Sequence, residues 1–362
     1  MFLTLSPLIG RRVISSLAAF AFVLMALLSP VHAQQNPGEV NLYSYRQAFL
    51  MKPLLSSFTR QTGIKVNAVY AKNGILERLK AEGSNSPADA VLSSDVGRLS
   101  DLANAGLLQK VRSAVLEANI PPQYRHPDGL WFGLTTRARV IYAHKTRVKE
   151  GEITSYEDLA LPRFKGRICS RSGKHPYNIT LLASIITAKG EAAAADWARG
   201  VKANLARRPQ GNDRSQVKAI WQGECDVALG NTYYMGNMAT NDKKPEQKKW
   251  AASVRIIFPN QKTNATGGSQ DRGTHVNASG GAVTTSSKNR ENAIRLLEFL
   301  SGKEAQAIYA EQNFEYPVKP GVRWHTLVAS WGSFRADDHN LNQIAAQRSL
   351  AAKIMDRVEF DH

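Results

Sequence analysis

Glu39-Val40-Asn41-Leu42-Tyr43-Ser44-Tyr45 reads as a strand, and Phe49 to Thr62 directly behind it reads as a helix. In that helix Leu54, Leu55 and Phe58 recur at helical spacing, and Gly63 stands where a C-terminal stop is expected. The pattern continues outward. Ile64 to Tyr70 is a strand, Gly74 to Glu82 a helix, Ala88 to Leu92 a strand and Gly97 to Ala105 a helix. Such alternation predicts an α/β domain with a largely parallel sheet. Leu130 to Tyr142 is a long extended stretch that carries the chain into a second domain. There the alternation restarts, with strands at Arg167–Cys169, Cys225–Leu229 and Arg255–Phe258, and helices at Ile179–Lys189, Ala192–Asn204 and Ser215–Gln222. Gly273 to Gly280 reads as a second crossing, followed by helices at Asn289–Leu300 and Lys303–Gln312.

The first 33 residues have the form of a secretory leader. Arg11 and Arg12 precede an apolar run from Val13 to Leu28, and Val31-His32-Ala33 places small residues where a signal peptidase reads. The paired arginines leave both the unfolded and the folded export routes open. A soluble, exported mature chain is expected. The full sequence's formal charge of +17, two units of it from Arg11 and Arg12, favours anionic cargo, anionic lipid heads or an acidic docking partner. Export and the scattered placement of the basic residues argue against nucleic acid. The runs Lys243-Lys244 and Lys248-Lys249 read as solvated loop.

Cys169 and Cys225 have no Cys-x-x-Cys spacing. In an oxidising compartment the even pair reads as a disulfide, the alternative being two buried thiols.

Tyr233 and Tyr234 stand side by side after Gly223-Glu224-Cys225-Asp226-Val227-Ala228-Leu229-Gly230-Asn231-Thr232, a turn, a buried strand and an opening loop. Neighbours on a strand face opposite ways, whereas in a loop or at a helix start both rings can turn into one cleft. Phenolate is a hard oxygen donor that suits a hard, highly charged cation. With a free pKa near ~10, tyrosine ionises at neutral pH only beside strong positive charge, which a ferric ion supplies. The ordinary alternative is half-buried packing with wet hydroxyls.

Several segments together resemble the periplasmic ferric-ion-binding proteins that feed iron ABC importers. They are Val40 to Gln47, Phe58 to Val66, Ser86 to Ala90, Arg137 to Tyr142, Gly223 to Tyr234, Gly273 to Gly280 and Tyr316-Pro317-Val318, in order along nearly the whole mature chain. The resemblance implies a periplasmic binding protein fold: two α/β lobes joined by crossing hinge strands, with cargo held between them. We place residues 1–33 in the signal peptide, 34–138 with 277–315 in the first lobe, and 139–276 with 316–362 in the second. The resemblance further implies a monomer that captures Fe3+ and hands it to an inner-membrane ABC permease. Its metal ligands fall on Tyr233, Tyr234 and Tyr177, the last just ahead of a helix. Many relatives carry a His-Tyr ligand pair after the first strand, but this chain has Gln47-Ala48. It resembles instead the subgroup in which carbonate or a similar small anion completes the shell, held by an arginine matched here by Arg46, with Gln47 beside it. A guanidinium fork fits a bidentate anion.

Arg46, at the C-terminal end of a first strand, is expected to face the cleft. Arg137 and Arg139 share one face by period two, where either balances tyrosinate charge or pairs with a carboxylate. Tyr43 and Tyr45 also share a face, and strand packing is their expected role. His175 and His275 are ligands by residue type but are expected to be solvated, and Asp89 and Asp95 to support loops. Nucleophile-elbow, zinc-protease, phosphate-loop and dinucleotide motifs are missing from the sequence, so an enzyme is not expected. The rival readings are a solute-binding protein for a metal-free anion and an exported hydrolase on the same fold.

Overall fold

β1 (Glu39–Ser44) lies between two parallel neighbours, β2 (Lys65–Tyr70) and β3 (Ala90–Ser93), with Val40 opposite Val66 and Leu42 opposite Ala90. A computed structural model of the chain describes Phe2, residues 38–261 and residues 272–362. The expected leader, residues 1–33, lies outside the described residues apart from Phe2.

The Ala48–Thr62 helix follows β1 and ends on Gly63, whose left-handed φ of 71° lets its N–H reach back to the Thr59 carbonyl. It buries Met51, Leu54, Leu55 and Phe58. These meet Val40 and Leu42 of β1 and Leu296 and Leu297 of the Arg290–Ser301 helix in one core. Remote sequence thus closes the first α/β layer.

β4 (Phe132–His144) is the longest strand and is buried at every position but its last. Burial on both faces suits its apolar residues, whereas Thr135, Thr136, Arg137 and Arg139 must find polar partners inside the protein. Its first half pairs with β8 (Val276–Val283) and its second half with β6 (Val227–Asn231) and β7 (Val254–Ile257). The order β2-β1-β3-β8-β4-β6-β5 is therefore one path, with β5 at Ile168–Cys169 and with β9 (Tyr316–Pro317) added against β4. Both extended stretches expected from the sequence are strands, β4 and β8. The sheet is mixed rather than largely parallel: β8 runs antiparallel to β3, and β4 antiparallel to β6, β7, β8 and β9. Helix–strand alternation fixes direction only where a helix joins adjacent strands. β8 enters between β3 and β4 from far along the chain.

The Pro176–Ala203 segment is helical on both sides of Gly190, which takes φ 83°, ψ 171° and separates the two helices expected there. Against it pack the Leu341–Ala346 and Arg348–Arg357 helices, through Ile344, Ile354 and Met355 onto Leu182 and Ile185. Cys169 and Cys225 form a disulfide, with Cα atoms 5.8 Å apart, between the end of β5 and the approach to its parallel partner β6. No helix among the described residues is long and apolar enough to cross a membrane.

Candidate metal centre

β6 ends at a heavily pinned turn. Gly230 leaves the space that the Tyr142 ring fills, and the Tyr142 hydroxyl donates to the Asn231 carbonyl at 2.6 Å. The Asn231 amide donates to the Asp213 carboxylate at 2.9 Å, and Thr232 Oγ1 accepts from the Ala138 amide at 3.3 Å. A helix, Thr232–Ala239, starts at once. Tyr233 and Tyr234 therefore occupy its first turn, where their rings stack with centroids 4.3 Å apart. A helix start is one of the two settings in which adjacent tyrosines can share a cleft.

Tyr177 arrives from another direction, in the first turn of the Pro176–Ala203 helix. His175 caps that turn by accepting the Tyr177 amide on Nδ1 at 3.2 Å, and its ring packs edge-on to the Tyr177 ring. The result is that the Tyr177 and Tyr233 hydroxyls lie 3.2 Å apart. Tyr177, Tyr233 and Tyr234 line one cleft of about 170 Å³ with Tyr45, Arg46, Gln47, Ser94, Arg137, Arg214 and Asn237 among the other wall residues.

Cations surround these phenols. The guanidinium carbons of Arg171, Arg137 and Arg139 lie 5.1, 5.6 and 5.9 Å from the Tyr177 ring centre. Buried Asp213 ties two of them together, accepting from Arg139 and Arg171 at 2.8 Å each. Burial, then the neighbouring phenols and Asp213, raise the Tyr233 pKa well above that of a free tyrosine. Burial chiefly, with Asp213 and Tyr177 behind it, raises that of Tyr234 as well. Both hydroxyls stay protonated at neutral pH without cargo. A weakly charged ligand could only hydrogen-bond to them; a strong Lewis acid would displace their protons.

The candidate anion residues divide. Arg46 lines the cleft but is 5% exposed and directs its fork at Glu315, donating from both terminal nitrogens at 3.0 Å. Glu315 also accepts from Thr135 Oγ1 at 2.9 Å and Ser279 Oγ at 3.2 Å. Burial alone would raise the Glu315 pKa; Arg46 outweighs it and holds the carboxyl below its ordinary value. Arg46 Nε has no hydrogen-bond partner among the described residues. Gln47 is exposed on the cleft wall, at the N-cap of the Ala48–Thr62 helix. Arg137 lines the cleft, donates to the Ser94 carbonyl and lies 3.8 Å from Asp95. Arg139 turns away to Asp213, Asn178 and Asn231 and is not on the cleft wall.

Other expectations change. Tyr45 is a cleft residue rather than strand packing alone, fixed by accepting the Leu76 amide at 3.1 Å. His275, expected in solvent, is 1% exposed. Burial first, then Arg272, Arg137 and Arg139, keeps its pKa well below the usual histidine value. His175 is partly buried, and burial with Arg171 and Arg139 lowers its pKa to about 3. Asp89 supports a loop as expected, accepting from the Asn41, Lys288 and Asn289 amides. Glu315 and Arg214 were not singled out by the sequence. Glu315 sits beside the quoted Tyr316-Pro317-Val318 segment, and Arg214 in the first turn of the Asp213–Gln222 helix.

Residues 85–328 match the family model described as bacterial extracellular solute-binding protein. Iron uptake protein A1 of Synechocystis sp. is 45% identical over 324 residues, 88% of each chain. The ferric iron-binding protein A of Mannheimia haemolytica, in an open conformation, superposes with a TM-score of 0.83 at 48% identity, covering 90% of this chain and 99% of that one. Trichodesmium IdiA (FutA), in complex with iron and citrate ligands, superposes with a TM-score of 0.84 at 42% identity, covering 89% and 100%.

Proposed function

Given that the chain belongs to the bacterial extracellular solute-binding protein family, we propose that Tyr177, Tyr233 and Tyr234 hold a ferric ion as phenolates in an interlobe cleft. The protein is an iron-binding component of an ABC importer, a binding protein and not an enzyme, in line with its similarity to an iron uptake protein and a ferric iron-binding protein. We place it in the periplasm, on its similarity to the Fe(3+)-binding periplasmic protein of Serratia marcescens. The observation that carries the ligand set is the 3.2 Å approach of the Tyr177 and Tyr233 hydroxyls beside the stacked Tyr234 ring. Two elements distant in sequence are built to bring hard oxygens to one point. Three phenolates neutralise the charge of Fe3+, and the small cleft suits an ion with a compact co-ligand.

In this reading carbonate or a similar anion fills the remaining positions. Arg46 and Gln47 approach it from the β1 side, Arg137 lines the adjoining wall, and Arg139 steadies Asp213 and hence the turn before the tyrosine pair. The lobes divide at residues 34–138 with 277–315 and 139–276 with 316–362, so that β4 and β8 cross between them. The protein acts as a monomer and delivers its ion to an inner-membrane permease.

The test is protein purified without chelator, followed by metal analysis and a visible spectrum. Stoichiometric iron with a tyrosinate-to-iron charge-transfer band is expected. A colourless, iron-free protein that takes up no added Fe3+ but binds a small anion would replace this reading with the metal-free one.

A further inference from the structure

The cleft guanidiniums are not equally available. Arg46 is paired with Glu315, Arg137 faces Asp95, and behind the wall Arg139 and Arg171 share Asp213. Arg214 differs: it lies over the Tyr234 ring at 4.7 Å and has no carboxylate partner among the described residues. It also lines a second depression, of about 400 Å³, with Asn212, Ser215, Lys218, Lys244 and Trp250. One side chain therefore joins the tyrosine cleft to a neighbouring hollow.

That hollow is basic. Lys218 and Lys244 are exposed and, like Arg214, have no carboxylate partner among the described residues, whereas nearby Lys248 is paired with Asp242 at 2.5 Å. Arg214 and Lys218 stand four residues apart on one helix, a like-charge spacing that works against the helix itself. The acidic residue of that turn, Asp213, points inward to Arg139 and Arg171 and relieves neither. Trp250 forms one wall, with the Lys218 ammonium 5.6 Å from its ring centre. Polar side chains complete the rim, including Asn241 and Gln247, which hydrogen-bond each other at 3.1 Å.

Size separates the two spaces. About 170 Å³ falls below the roughly 300–1,000 Å³ of a small-molecule pocket, and about 400 Å³ falls within it. Ferric ion hydrolyses at neutral pH unless complexed, so it reaches a binding protein as a chelate with anionic arms. The tyrosine cleft takes the ion and its nearest oxygens; the arms need a place outside.

Building on the ferric reading above, we propose that Arg214, Lys218 and Lys244 form an outer anion subsite that takes the uncoordinated carboxylates of a ferric di- or tricarboxylate. Arg214 bridges the two spaces, and the two lysines attract the trailing charge through the field of an exposed cationic surface.

The test compares the parent with Lys218→Gln/Lys244→Gln, two exposed positions that are not on the wall of the tyrosine cleft. Each is titrated with ferric citrate and, separately, with ferric ion in bicarbonate, and the visible band is followed. Loss of the two charges is expected to weaken ferric citrate binding about tenfold, as two exposed ion pairs would, and to flatten its dependence on salt. Loading from bicarbonate should be unchanged. If parent and variant take ferric citrate equally well, the subsite is wrong while the ferric cleft stands. If the parent takes iron from neither source, the ferric reading fails and this proposal with it.

Discussion

Tyr177 and Tyr233 present their hydroxyls to each other at 3.2 Å, although 56 residues separate them in the chain. The first is fixed by a histidine-capped helix start, the second by a strand end held through Asp213, Tyr142 and Thr232. Tyr177→Phe, Tyr233→Phe and Tyr234→Phe each keep the ring and remove only the oxygen. We predict that each lowers ferric affinity by more than about a hundredfold, beyond the cost of losing a supporting residue near a metal. Far-ultraviolet circular dichroism should stay unchanged. A phenylalanine variant with the parent's visible band would remove that tyrosine from the shell.

Arg46 and Glu315 form a buried pair, their side chains 4% and 7% exposed. Removing one partner strands the other's charge, so Arg46→Ala is expected to cost about 3–5 kcal/mol of stability. Arg46→Gln with Glu315→Gln leaves neither charge behind and should be more stable than Arg46→Ala in a urea titration. The double variant is the better probe of anion binding: iron uptake that still responds to bicarbonate in it would take Arg46 out of the anion site.

The parts of the site legible in the sequence are those encoded locally. Strand, helix and stop signals placed β1, β2 and the Ala48–Thr62 helix within a residue or two, and the two helices read at Ile179–Lys189 and Ala192–Asn204 part at Gly190. The tyrosine pair declared itself because strand, turn and aromatic word are contiguous. Glu315 could not be paired with Arg46, because the two stand 269 positions apart and only β8 and β9 bring them together. Arg137 and Arg139 share a face by period two, yet their partners differ. Arg137 lies opposite Asn277 of β8 and Arg139 opposite Asn231 of β6, because β4 changes neighbours between them. Strand direction was misjudged for the same reason: periodicity reports which face is buried, not which strand lies alongside. His275 resembled a loop residue because its polar neighbours in sequence gave no sign of the arginines and β-strands that bury it.

The disulfide between Cys169 and Cys225 closes a separation of 56 residues and joins β5 to the strand that leads into Tyr233 and Tyr234. A loop of that size contributes about 2–4 kcal/mol, so Cys169→Ser/Cys225→Ser should lower the melting temperature by roughly 3–6 °C. Parallel backbone hydrogen bonds still join Ile168 and Cys169 to Val227 and Ala228, and the tyrosine turn keeps its Asp213 anchor. Iron binding at low temperature should persist in the variant. Loss of the visible band in a fully folded serine variant would mean that the crosslink also sets the ligand geometry.

Acid should release the cargo before it unfolds the protein. Without iron the Tyr233 and Tyr234 hydroxyls keep their protons, since burial and neighbouring phenols raise both pKa values above that of a free tyrosine. In the proposed ferric site they bind as phenolates and must give them up. The empty site therefore holds more protons than the loaded one across the neutral and acidic range, and iron affinity rises with pH by linkage. Loading should therefore release protons from the Tyr233 and Tyr234 hydroxyls. On acidification a bound carbonate accepts a proton before a metal-held phenolate does, so the visible band should fade steeply and from mildly acidic pH. A spectral titration with circular dichroism recorded on the same samples checks the order. A band that disappears only together with the folded signal would mean that proton competition does not govern release, and would count against a carbonate-completed shell.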